Sequence, residues 1–106
     1  VAVAKFYQVI PAGNGSTNTL YAATLGAAAT SGVVTAGNDM LIRVIASLPI
    51  TIRFGTVSNL SAATSTDIYI PPNRAEIFDV GHNNNAFSIY AFQAGTIVSV
   101  NVVSKN

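Results

Sequence analysis

The chain contains no cysteine and no tryptophan, a single histidine and few charged side chains. Without thiols there is no disulfide, no thiolate nucleophile and no cysteine-based zinc site. That absence does not reveal the compartment. Charged residues make up 8% of the 106 positions, against about 25% in an ordinary soluble domain. The five basic residues, Lys5, Arg43, Arg53, Arg74 and Lys105, are scattered, and four acidic residues nearly cancel them. With no basic run, the electrostatic footprint of a nucleic-acid binder is missing. Long apolar runs are lacking too. The nearest candidate for a membrane span, residues 20–37, is interrupted by Gly, Ser and Thr and does not read as a spanning helix. The first residues lack the charged-then-apolar layout of a signal peptide, and Val1 is expected to follow removal of an initiator Met.

What remains is half apolar, which is too hydrophobic for a disordered tail. A chain of this length predicts one domain over residues 1–106 with one modest core. The polar positions are filled by Thr, Ser and Asn rather than by charges. A free monomer usually stays soluble through mixed charges and a clear net charge. Much of this surface is therefore expected to face other protein, in a homo-oligomer or a larger assembly.

Short apolar runs bounded by Gly, Pro, Asn and Ser clusters predict an all-β fold. "KFYQVI" (5–10) reads as a first strand ending at Pro11, and Asn14-Gly15 in the following loop favours a tight turn. The Ala content of "TLYAATLGAAAT" (19–30) suits a helix, while its Thr and Tyr suit a strand; we read it as strand. Further strands are expected at 39–46, 50–56, 67–70, 74–80, 87–93 and 96–104. In "ITIRFGT", Ile50, Ile52 and Phe54 take one face, and Thr51 and Arg53 the other. Ile97 is expected to face away from Val98, Val100 and Val102. The expectation is an antiparallel β-sandwich or jelly-roll-like barrel of about eight short strands. Residues 1–37 form an arm or edge segment, and 38–106 form the sandwich body. An arm pairing with a neighbour's sheet edge would suit an assembly protein.

The residues able to do chemistry are few: Asp39, Asp67, Glu76, Asp79 and His82, with the hydroxyls. His82 lies in "GHNNNA" (81–86), three positions after Asp79. An Asp can orient a His that activates a Ser, but nothing here resembles a nucleophile elbow. Asn83 to Asn85 are better explained by the ease with which Asn turns a chain. No spacing typical of zinc or calcium sites occurs. Glu76 and Asp79, an odd offset apart, face opposite ways on a strand, so they do not form a glycosidase pair between themselves. Asp67 and Glu76 would approach if their strands paired across Pro71-Pro72, with Arg53 or Arg74 as partners. Among Tyr7, Tyr21, Tyr69 and Tyr90, Tyr69 is a candidate for exposure, while Tyr90 and Phe92 share one face and suit the core. The matches to N-x-Ser at Asn14 and Asn59 are taken as chance in an Asn- and Ser-rich chain. No catalytic residue, metal ligand or cofactor is expected from these residues.

The block "LIRVIASLPITIRFGTVSNLSAATSTDIYIPPNRAEIFDVGHNNNAFSIYAFQAGTIVSVNVVS" (41–104) resembles a layout met in small structural proteins of tailed bacteriophages, including head decoration or cement proteins. Its parts are "ITIRFGT", an "AATSTD" loop, "IYIPPNRAEIFDV", a polar turn, "IYAFQAGT" and a final Val-rich strand. The resemblance implies an all-β sandwich that clamps onto a capsid shell, often as a dimer or trimer. Its partners would be the major capsid protein or other virion proteins, with no role for nucleic acid or membrane. The expected location is the capsid surface of the virion, and no catalytic residue is implied.

Overall fold

The computed structural model describes residues 8–9 and 19–105, with the side chains of Gln8, Val9 and Lys105 outside that set. Most of the expected first strand at 5–10, the loop at 11–18 with its Asn14-Gly15 turn, and Lys5 and Tyr7 lie outside the described residues.

Among the described residues there are nine strands and no helix. They are β1 (Gln8–Val9), β2 (Thr19–Leu25), β3 (Val34–Thr35), β4 (Met40–Ala46), β5 (Ile50–Gly55), β6 (Ile68–Ile70), β7 (Glu76–Asp79), β8 (Ala86–Ala91) and β9 (Thr96–Lys105). All the pairings are antiparallel. In sheet A, β9 bonds β4 along one edge, and β4 bonds β7. The other edge of β9 carries β2 against residues 96–101 and β1 against 104–105. These two share a lane, so sheet A is four strands wide. Sheet B runs β3-β8-β5-β6. From β2 onward every connection crosses between the sheets except β5 to β6, which are neighbours. Residues 19–37 of the expected arm or edge segment supply β2 and β3, one edge strand for each sheet.

Alternation explains why these segments become half-buried strands. On β4, Ile42, Val44 and Ala46 point inward; on β9, Val98 and Val100 do so. Facing them from sheet B are Ile50 and Ile52 of β5, Ile70 of β6, and Phe87, Ile89 and Ala91 of β8. These side chains form one core between the sheets. Phe87 is the largest of them and fully buried; truncation of such a phenyl to Ala typically costs about 3–5 kcal/mol. At one end Phe54 of sheet B meets Phe78 of sheet A, ring centres 5.4 Å apart.

The turns follow from residues that stop strands. Pro49 stands between β4 and β5, and Pro71-Pro72 ends β6. Gly95, at φ 80°, supplies the left-handed residue between β8 and β9. The pairing of β4 with β9 slips between Leu41 and Ile42, where Val103 is the extra residue of a bulge.

The inward face of β8 differs from the sequence expectation. Tyr90 and Phe92 do not join the core; Phe87, Ile89 and Ala91 do. Both readings obey alternation, but only the register of β8 against β5 selects the parity.

Candidate functional site

The corner holding the only histidine gathers polar groups from three connections. Gly81, at φ 98°, turns the chain after β7. Asp79 does not orient His82: its Oδ1 accepts the Gly81 amide at 2.9 Å. His82 instead places Nδ1 3.0 Å from Oδ2 of Asp39, in the connection between β3 and β4. The imidazole is 79% exposed. Asn38 donates from Nδ2 to the carbonyls of His82 and Asn84 at 2.9 and 3.0 Å. Asn84 donates to the Val80 carbonyl at 2.8 Å. Asn85 Oδ1 accepts the Val57 amide at 2.9 Å, and its own amide donates to Gly55 O at 3.0 Å. Asn84 and Asn85 are thus occupied in closing the corner, and His82 stands outside it. Among the described residues, the hydrogen-bond partner of the imidazole is the Asp39 carboxylate rather than a hydroxyl.

The carboxylates are also dispersed. β6 and β7 lie in different sheets, so Pro71-Pro72 does not pair Asp67 with Glu76. Asp67 binds Arg53 (Oδ1 to Nε, 3.0 Å), and Glu76 meets Arg74 at 3.4 Å on the surface. Among the described residues, no group of three or more His, Asp or Glu side chains is arranged to hold a metal ion.

The larger contrast lies between the outer faces of the two sheets. Residues 56–67 fold back as a strap across sheet B. Thr51 Oγ1 donates to the Thr64 carbonyl at 2.7 Å, and Ser88 Oγ accepts the Ala63 amide at 3.0 Å. Thr51 and Ser88 point outward from their strands, yet both are fully buried beneath the strap. Arg53 pins the strap through Asp67 and reaches Ser61 Oγ and Ala62 O at 3.4 Å. Partial burial pushes the Asp67 carboxyl up, but the Thr64 amide, the Arg53 guanidinium and the Thr64 hydroxyl outweigh it. Together they hold the group below the usual carboxylate range.

Beside the strap, Tyr69, Phe92 and Tyr90 cluster on the same outer face. Phe92 stands edge-on to Tyr90 at 5.2 Å and tilted to Tyr69 at 6.4 Å. Tyr69 is exposed and Tyr90 half-buried. The rings pack on one another rather than lying in a flat row. Tyr21 packs against the core, where burial pushes its phenol up.

On sheet A no described segment plays the part of the strap. Ile77 of β7 and Ile97 of β9 are 59% and 60% exposed. Arg43 of β4 lies opposite both Ile77 and Asn101 in the sheet. A shallow open depression of about 230 Å³ is lined by Ile45, Ala46, Ser47, Asn73, Ile97 and Ser99. The sequence expectation that Ile97 faces away from its valine neighbours matches this placement. The placement of Ile97 on one face with Arg43 and Ile77 depends on strand order, which no local pattern encodes.

Comparison with protein-family models, curated proteins and solved structures finds no match.

Proposed function

We propose that this chain is a virion structural protein, a jelly-roll module that binds the outside of a bacteriophage capsid and reinforces it as a decoration or cement protein. The observation that carries the reading is strand order. A β2-β9-β4-β7 sheet beside a β3-β8-β5-β6 sheet supports reading the fold as the double Greek key of a jelly roll, which recurs in viral capsid proteins, lectins and cupins. Fold alone leaves the role open. Three features favour contact over chemistry. Ionisable side chains are dispersed, charge is scarce, and aliphatic residues stand exposed on sheet A.

The mechanism is additive burial. Each apolar area removed from water contributes about 25 cal/mol per Å² before association costs are subtracted. Repetition over a shell, with one module or oligomer touching several subunits, adds avidity. The partners are the major capsid protein or other virion proteins, with a second or third copy of the chain in the assembled unit. To test this, purified protein is mixed with shells assembled without it, and bound protein is followed by co-sedimentation and negative-stain imaging. We expect saturable binding and greater resistance of the shells to heat. A folded chain that leaves the shells bare would sink the proposal.

The exposed Tyr69 beside Phe92 and Tyr90 favours a second reading, a carbohydrate-binding or tail-fibre-associated module. Aromatic faces stack on sugar rings, and phenol hydroxyls can bond to their hydroxyls. Saturable glycan binding that is lost in Tyr69→Ala, with no binding to shells, would favour this reading.

A further inference from the structure

We infer that the outer face of sheet A is the docking face, and that its partner is an aliphatic protein surface carrying a carboxylate seated opposite Arg43. The inference rests on the attachment reading above and adds which face is used and what it meets. The strap covers Thr51 and Ser88 on the outer face of sheet B and satisfies them there, while Val57 of the strap and Ile68 and Tyr69 of β6 stay exposed beside it. On sheet A, Ile77, Ile97 and the shallow depression beside Ile45 remain open among the described residues. Exposed apolar patches of this kind mark interaction sites.

Arg43 selects the partner. It is half-buried in the middle of this face. Within the described residues its guanidinium makes no ion pair or side-chain hydrogen bond, whereas Arg53 and Arg74 each have a carboxylate. An apolar partner covering Arg43 without a counter-charge would desolvate an unpaired cation, which is strongly unfavourable. A carboxylate on the partner removes that penalty and fixes register.

The same feature argues against a second copy as occupant. A two-fold contact lays a patch on itself, bringing two Arg43 guanidinium groups into one apolar interface. Asp79, which shares this face, is already engaged by the Gly81 amide. The molecule measures 41 × 32 × 22 Å, so a broad face is on the order of 1,000 Å², close to the ~800 Å² per partner of a standard interface.

The test measures co-sedimentation of wild type, Ile97→Asp, Arg43→Glu and Tyr69→Ser with shells assembled without this chain, after circular dichroism and melting confirm folding. Ile97→Asp and Arg43→Glu should each weaken binding at least about tenfold, with Tyr69→Ser unchanged. If Ile97→Asp does not fold, Ile77→Ser carries the same expectation. Wild-type binding by both sheet A variants would overturn the inference while leaving attachment intact. Failure of wild type to bind would overturn both. Loss of binding in Tyr69→Ser would move the contact to sheet B, and a wild-type dimer dissociated by Ile97→Asp would make the occupant a second copy; either result overturns the inference.

Discussion

His82 was the most conspicuous residue in the sequence because no other histidine exists, yet its surroundings give it little to do. The imidazole is 79% exposed where it meets Asp39, and a polar contact open to water on one side is worth only about 0–1 kcal/mol. His82→Ala should therefore melt within a few degrees of wild type, and under the proposed function it should bind shells equally well. Asn38 and Gly81 are different. Asn38 joins two connections through two carbonyls, each such bond being worth about 1 kcal/mol net. Gly81 sits at φ 98°, where an added Cβ is strained at a cost of about 1–3 kcal/mol. Asn38→Ala and Gly81→Ala should both lower the melting temperature clearly more than His82→Ala. A larger loss in His82→Ala than in either would mean the histidine has a structural role beyond Asp39. The turn character of the corner was legible from Gly81 and its asparagines. The Asp39 partner was not, because contact over a sequence separation of 43 is created only when the connection after β3 folds beside the one after β7.

At the scale of elements, alternation made most strands readable: β4 and β9 bury one parity more deeply than the other, and β5 sends Ile50 and Ile52 to the core and Thr51 under the strap. β3 escaped notice because Val34 and Thr35 are too short a run to set a period. The strap escaped for another reason: residues 56–67 lack regular hydrogen bonding of their own and are held by side chains beneath them. Their hold includes an acid-sensitive part. The folded Asp67 carboxyl is depressed, so its contribution is fully present above the unfolded value of about 3.9 and is lost as pH falls through the lower folded value. Asp67→Asn should therefore shift the urea midpoint downward at pH 7 and by much less at pH 3. A penalty of equal size at both pH values would place the role of Asp67 in shape or hydrogen bonding rather than charge. Arg53→Gln should resemble Asp67→Asn at pH 7, because either change breaks the same pair.

For the whole molecule, the all-β class followed from composition and turn spacing, whereas the sheet assignment did not. Which strands neighbour β9 is decided by chain closure: β2 and β9, far apart in sequence, become partners, and no local pattern encodes that. The scarcity of charge has its clearest consequence at this scale. A binder that depends on many ion pairs loses affinity steeply as salt shortens the Debye length from about 10 Å at 0.1 M to about 3 Å at 1 M. Here the proposed contact is aliphatic with one ion pair at Arg43, and a desolvated pair is screened less than an exposed one. Apolar contact is not weakened by added sodium chloride in the same way, and the five basic and four acidic residues of the chain leave little long-range steering to lose. Attachment to shells should therefore weaken by no more than about tenfold between 0.1 and 1 M sodium chloride, a bound set by the loss of one ion-pair energy of roughly 1.4 kcal/mol. Arg43→Gln should bind more weakly at low salt and flatten the remaining dependence. A loss of several hundredfold in the wild type over that range would point to a charged contact elsewhere on the surface, and the aliphatic face of sheet A would then not be what holds the protein to its partner.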